Sequence, residues 1–300
     1  MRVVIGLRVV VVLALLTSAC GGTSSSAPPP RPAVQEGELT VDGVVRTYRV
    51  FAPTSLERES EAPLVLVLGG VGNDAEGMVA ATQFDREATA GNFVVAYPEG
   101  LGQSWNAGFC CGSTATDGVD DVAFLSSVID RLRGDYGIDA DRVYVVGVSA
   151  GAMMAYRLGC EAADRIAGVG SVAGAMILDQ CQPARPVPVI EIHGTDDPLV
   201  PYGGGVVRPE GVATQPAPST AGVTERWASL NDCSSDPEEG TEGPVTTLTW
   251  TGCAQGSAVK LVTVDGGGHT WFATGLGPAN GAVDATQLMW GYFDSLSRSG

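Results

Sequence analysis

Three side chains and two backbone groups in this chain have the types needed for acyl transfer. Ser149 sits in Gly147-Val-Ser-Ala-Gly151, a match to G-x-S-x-G. A serine hydroxyl is a poor nucleophile near neutral pH, so it needs a base to take its proton and an acid to orient that base. The chain has two histidines, and the base must be one of them. His269 lies in Val264-Asp-Gly-Gly-Gly-His-Thr-Trp271, a glycine loop after an apolar run, expected to swing an imidazole over a sheet edge. His193 stands flush with the end of another apolar run, in His193-Gly-Thr-Asp-Asp-Pro198, where a histidine is expected to hold a turn. His269 is therefore read as the base and His193 as structural. Of the adjacent acids Asp196 and Asp197, Asp197 is expected to accept the Nδ1 proton of His269, leaving Asp196 as a solvated turn residue. An oxyanion needs donors too. The Ala150 N–H is one, and the N–H of Gly70 or Val71, in Gly69-Gly-Val-Gly72, is the other. That glycine run lacks the Lys-Ser/Thr of a phosphate loop.

These residues must be positioned by strands and helices. Val143–Val146 reads as a short buried strand and Ala150–Cys160 as a helix, so the serine turn joins the two. Leu64-Val-Leu-Val-Leu68 is an unbroken apolar run, as in a central parallel strand buried on both faces. Glu38–Phe51 alternates around Asp42-Gly43 as a hairpin. A helix is expected from Asp74 to about Ala90, a strand over Phe93–Tyr97, and a long loop over Gly100–Thr116. Val119–Tyr136 reads as an amphipathic helix that Asp120 and Asp121 cap, with Asp121 bracing the site from behind. Strands follow at Ile166–Val172 and Val187–Ile192, then a Gly- and Pro-rich insertion over Gly203–Thr220 and a short helix over Thr224–Leu230. Asp232–Gly243 reads as an acidic loop, Val245–Trp250 and Val259–Val264 as paired strands, and Asp284–Ser297 as a closing helix. Strands alternating with helices imply an α/β fold with a mostly parallel sheet covered on both faces. In such sheets sites gather at the carboxyl ends of strands, and each residue named above follows a predicted strand.

Composition narrows the partners. The formal charge is -17, which repels nucleic acid and anionic membranes. No Cys-x-x-Cys occurs and only two histidines are present, which argues against a metal site. Residues 1–19 have the positive start (Arg2, Arg8), short apolar core and small-residue end of an export signal, too short for a preferred membrane span. Cys20 follows at once, in an arrangement like a bacterial lipobox, although Thr17 stands where such boxes usually carry Leu. Either Cys20 is acylated, and the membrane is met only through that anchor, or the chain is cleaved and released. Residues 20–38 are then a lipid-attachment cysteine with a Ser- and Pro-rich tether, and 39–300 the catalytic domain. Export permits disulfides. Cys160–Cys181 and Cys233–Cys253 are the expected pairs, each closing a modest loop, and Cys110 and Cys111 remain as either a vicinal disulfide or two thiols.

Five ordered motifs carry a resemblance. They are Trp105-Asn-Ala-Gly-Phe-Cys-Cys-Gly112, Val119-Asp-Asp-Val122, Gly147-Val-Ser-Ala-Gly151, His193-Gly-Thr-Asp-Asp-Pro-Leu-Val-Pro-Tyr202 and Gly268-His-Thr-Trp271. With them the chain resembles the polyhydroxybutyrate-depolymerase family of secreted esterases, which overlaps with feruloyl and acetyl xylan esterases. The resemblance implies an α/β-hydrolase fold and a cofactor-free esterase, and it supports Ser149, Asp197 and His269 in that chain order. Relatives usually carry a His before the Gly of the oxyanion loop; here Gly69 takes that place. Trp271, Trp105 and Tyr202 are expected to line the substrate pocket. The expected protein is a secreted or lipid-anchored monomeric serine carboxylesterase working through an acyl-enzyme. Its substrates are feruloyl or acetyl esters of polysaccharide, polyhydroxyalkanoates or small esters. A serine peptidase on the same fold, or an envelope binding protein on a hydrolase scaffold, are the alternatives.

Overall fold

A computed structural model describes residues 33–57, 61–208, 212–234 and 236–294. The export signal and Cys20 lie outside them. The first strand, β1 (Val34–Val41), begins inside the stretch assigned to the tether and pairs with β2 (Val44–Phe51) around Asp42-Gly43. Next come β3 (Ala62–Leu68), the helices α1 (Ala75–Thr82) and α2 (Phe84–Gly91), and β4 (Val94–Pro98). The short α3 (Gly112–Thr116) interrupts the expected long loop, and α4 (Asp121–Tyr136) follows it. Then come β5 (Ile138–Val148), α5 (Ala150–Glu161), β6 (Gly168–Val172) and β7 (Val189–Gly194). The chain continues with α6 (Thr220–Leu230), β8 (Glu238–Glu242), β9 (Val245–Trp250), β10 (Val259–Val264) and α7 (Ala285–Phe293).

Among the described residues the strands form one sheet in the order β1-β2-β4-β3-β5-β6-β7-β10-β9-β8. The middle of it, β4 through β10, is parallel, and antiparallel pairs extend it on both sides. The apolar runs explain this burial. On β3, Leu64, Leu66 and Leu68 join the core under α4, α5 and α6, while Val65 and Val67 join the core under α1, α2 and α7. On β5, Val143 and Val145 face the first core, and Tyr144 and Val146 the second. A strand so placed needs apolar residues at every position, because side chains alternate between two buried faces.

Two further expectations fail. The helix from Asp74 to about Ala90 is two helices, broken where Gln83 takes a left-handed backbone (φ 56°) and its N–H closes α1 on the Val79 carbonyl. The acidic loop over Asp232–Gly243 contains β8, whose five residues are all exposed. An edge strand with no buried face shows no apolar alternation, so its sequence reads as loop.

The expected disulfides Cys160–Cys181 and Cys233–Cys253 are present, and Cys110 is bonded to Cys111.

Candidate active site

Ser149 occupies the step between β5 and α5 with φ 55° and ψ -121°, a region L-residues rarely adopt. Its N–H is held by the Val172 carbonyl at 2.9 Å, and its carbonyl accepts from Met153 N–H at 3.0 Å. The hydroxyl makes no capping bond to the helix, although serine is a preferred N-cap residue. The flanking glycines are required by space. A Cβ on Gly147 would lie 2.3 Å from the Gly151 carbonyl carbon, and one on Gly151 would lie 2.2 Å from the Leu68 oxygen. The turn thus wedges between β3 and α5, and the serine side chain is turned out at the sheet's carboxyl edge.

The loop after β3 is fastened from three sides. Trp105 Nε1 donates to the Gly69 carbonyl (2.9 Å), Gly70 N–H donates to Asn73 Oδ1 (3.0 Å), and Gly72 N–H donates to the Gln103 carbonyl (2.9 Å). These bonds hold the loop in place with Gly69 where relatives are expected to carry a His. A Cβ on Gly69 would sit 2.9 Å from Asn73 Cβ, so in this chain a side chain there would displace Asn73. The two expected oxyanion donors of this loop differ in their engagement. The Gly70 N–H is already engaged, whereas the Val71 and Ala150 N–H groups make no hydrogen bond among the described residues. Asn73 went unnoticed in the sequence. Its signal was an Asn in the loop that returns its side-chain oxygen to a nearby backbone N–H.

His269 follows β10 and is 14% exposed, with Nδ1 2.8 Å from Asp197 Oδ2. Its glycine loop is docked, contrary to the expectation of a swinging one. Asp196 N–H donates to the Gly267 carbonyl (2.9 Å), Gly266 N–H to Thr195 Oγ1 (2.8 Å) and Gly268 N–H to Asn280 Oδ1 (2.9 Å). Gly194 allows this close approach, since a Cβ there would meet the Gly267 oxygen at 2.1 Å. Asp197 is buried and Asp196 exposed. The Asp197 Oδ1 accepts from the N–H groups of Leu199 (2.8 Å) and Val200 (2.9 Å). Burial opposes ionisation of this carboxyl, but hydrogen bonds from His193, His269 and the Val200 N–H outweigh it and hold the group well below the usual carboxylate range.

Ser149, His269, Ala150, Gly70 and Val71 line one cavity of about 420 Å³. Met78, Met153, Leu199, Val212, Trp271 and the Cys110–Cys111 disulfide make much of the remaining wall, and Arg208 is the only lysine or arginine on it among the described residues. The tryptophan and tyrosine expectations divide. Trp271 lines the cavity while its Nε1 donates to Thr286 (3.0 Å). Trp105 is 2% exposed and absent from the wall; its indole is committed to the Gly69 carbonyl. Tyr202 is also absent, because its hydroxyl is bonded to Thr263 on β10 (2.7 Å) and its ring meets His193 edge-on. Asp120 caps α4 through the Ala123 N–H (2.8 Å). Asp121 is fully buried and accepts from Arg46 (2.8 Å) and from the Asn106 N–H (2.7 Å), so it anchors the loop that carries Trp105. Among the described residues no group of three or more His, Cys, Asp or Glu side chains has an arrangement that could hold a metal ion.

A parallel sheet with a G-x-S-x-G elbow after one strand, a carboxylate after a second and a histidine after a third defines an α/β-hydrolase. The Phospholipase/Carboxylesterase family profile matches residues 119–213. NocK of Nocardia uniformis subsp. tsuyamanensis, which carries the name of an esterase, is 35% identical over 78% of this chain and 73% of its own length. Feruloyl esterase B of Piromyces equi is 31% identical over 72% of this chain, which spans 41% of that larger protein. The acetyl xylan esterase from Aspergillus awamori shares the fold, with a TM-score of 0.61 at 13% identity over 87% of this chain and 99% of its own. The chain belongs to the esterases of the α/β-hydrolase superfamily, a family of carboxylic ester hydrolases.

Proposed function

We propose that the protein is an exported serine carboxylesterase that works through an acyl-enzyme. The observation that carries this reading is the convergence of Ser149, the Asp197–His269 pair and two unengaged N–H groups on one cavity. Ser149 Oγ attacks the ester carbonyl carbon, and its proton passes to His269 Nε2, the ring nitrogen not bound to Asp197. The carbonyl oxygen becomes an oxyanion held by the N–H groups of Val71 and Ala150, the latter at the positive end of α5. Collapse of the intermediate breaks the bond to the alkoxy oxygen, which takes the proton from His269 and leaves as the alcohol. Water then attacks the acyl-serine, gives its proton to His269, and the acid departs as Ser149 regains a proton. Asp197 orients the ring and stabilises the imidazolium in both halves.

The apolar wall of Met78, Met153 and Trp271 suits an acyl group such as an aromatic hydroxycinnamoyl or a short alkyl chain. Relatives named as feruloyl and acetylxylan esterases support esters on plant polysaccharide. Three disulfides among the described residues support an exporting route, and Cys20 is the proposed lipid site.

The test is hydrolysis of p-nitrophenyl esters of increasing chain length beside methyl ferulate, with Ser149→Ala in parallel. Turnover is expected in the native chain and lost in the variant by at least about 10⁴-fold. Equal rates in the two proteins on every ester would overturn the reading.

A further inference from the structure

Behind the proposed triad lies a second imidazole that the mechanism does not use. His193 ends β7 and is fully buried. Its Nδ1 is 3.0 Å from Glu191 Oε1 and 3.2 Å from Thr220 Oγ1. Its Nε2 is 2.9 Å from the Val200 carbonyl and 3.3 Å from Asp197 Oδ2. A carbonyl and an ionised carboxylate only accept, and a neutral imidazole donates from one nitrogen alone. With the proton on Nδ1, the Nε2 lone pair would point at the Val200 carbonyl oxygen; with it on Nε2, the Nδ1 lone pair would face the nearer Glu191 carboxylate at 3.0 Å, with the Thr220 hydroxyl at 3.2 Å as its donor. The imidazolium satisfies both sides. Burial by itself drives the proton off, but hydrogen bonds to Asp197 and Glu191 prevail and push the pKa up to about 9.

The charge count around this ring is informative. Glu191, held also by the Tyr156 hydroxyl from α5 (2.8 Å), and Asp197 are the negative groups that face it. Tyr202 meets it edge-on, with ring centroids 5.8 Å apart, and Thr220 comes from α6. One cation between two carboxylates leaves a single net negative charge facing His269, and that charge is cancelled when His269 takes the serine proton. Asp197 in turn accepts three hydrogen bonds, from Leu199, Val200 and His269, and its Oδ2 also lies 3.3 Å from His193 Nε2 as an ion-pair partner.

We propose that His193 is a positioning residue that acts as a standing imidazolium, fixing the Asp197 carboxylate and moderating its pull on His269. The proposal rests on the reading of Asp197 and His269 as the acid–base pair. A cation against Asp197 weakens that carboxylate as an acceptor for His269. Removing it tightens the Asp197–His269 bond and raises the pH at which His269 gives up its proton.

The chain's two histidines make the test direct. The full-length protein is labelled with ¹⁵N-histidine, and His269→Ala assigns the two rings. His193 is expected to show two protonated nitrogens at pH 7 and to keep them until about pH 9. A His193 ring with one protonated nitrogen at pH 7 overturns the proposal. In the second arm, His193→Gln is expected to move the acidic midpoint of kcat/KM upward by about half a pH unit or more, with KM within about twofold. A folded variant whose midpoint stays in place, with kcat merely scaled down, marks a structural role and also overturns it. Where the variant does not fold, the ring signals of the native chain decide. Failure of the esterase reading would show separately, as Ser149→Ala retaining native turnover, and leaves the ring signals unaffected.

Discussion

His193 and His269 share the Asp197 carboxylate, yet their surroundings differ in nearly every other respect. His193 is closed off from water with acceptors against both nitrogens. His269 stands at the cavity wall with one nitrogen committed to Asp197 and the other without a hydrogen bond among the described residues. The contrast teaches that exchangeability, more than proximity to a carboxylate, separates a base from a brace. A ring whose two nitrogens both face acceptors keeps its proton; a ring with one uncommitted nitrogen can take and return it.

The sharpest break in this comparison is His269→Ala. It is expected to lower kcat by about 10⁴-fold or more in steady-state ester hydrolysis, while thermal melting stays within a few degrees. Next comes Asp197→Asn, expected to cost about 10⁴-fold in kcat through loss of the ring's orientation. It also removes a charge from His193, so melting should fall as well, unlike for His269→Ala. His193→Ala inverts the pattern. It leaves Glu191 and Asp197 buried with the intervening cation gone, and denaturant unfolding is expected to show a loss of about 3–5 kcal/mol.

The pH dependence of stability sharpens the same point. Folded His193 keeps its proton to about 9 against 6.5 for an ordinary histidine, so its contribution is complete below about pH 6.5 and fades as pH rises toward 9. Asp197 runs the other way. Its lowered pKa adds stability above the ordinary carboxylate value near 4, and that is lost as pH falls further. Melting temperature should therefore hold between about pH 5 and 6.5 and decline on either side, with the alkaline decline absent in His193→Gln. The smallest effect is Asn73→Ala. Freeing the Gly70 N–H loosens the Val71 donor, and kcat is expected to drop about tenfold with melting little changed.

Much of this was legible before any coordinates. The parallel core announced itself through unbroken apolar runs, because strands buried on both faces leave no polar alternation. Ser149, Asp197 and His269 were found by type, spacing and position after strands, and the structure places them at the carboxyl ends of β5, β7 and β10. Two of the missed features depend on partners distant in sequence. Trp105 carries an aromatic ring fit for a pocket, but the Gly69 carbonyl claims its N–H from 36 residues away. Tyr202 is claimed by Thr263 in the same manner. The Gln83 break went unread because glutamine is a sound helix former and nothing local marks its left-handed backbone. The docked histidine loop shows that a glycine run can serve close packing as well as motion.

The strand β8 closes one side of the sheet, exposed along its whole length and carrying Glu238, Glu239 and Glu242. An outer strand offers a row of unpaired backbone groups on which a second molecule could continue the sheet. Two copies of β8 laid side by side would crowd six carboxylates into one ribbon, and like charges across a strand pair repel. The acidity that hid this strand in the sequence is thus also a barrier to runaway strand addition, and of the two sheet edges among the described residues it guards the one with no apolar face to bury.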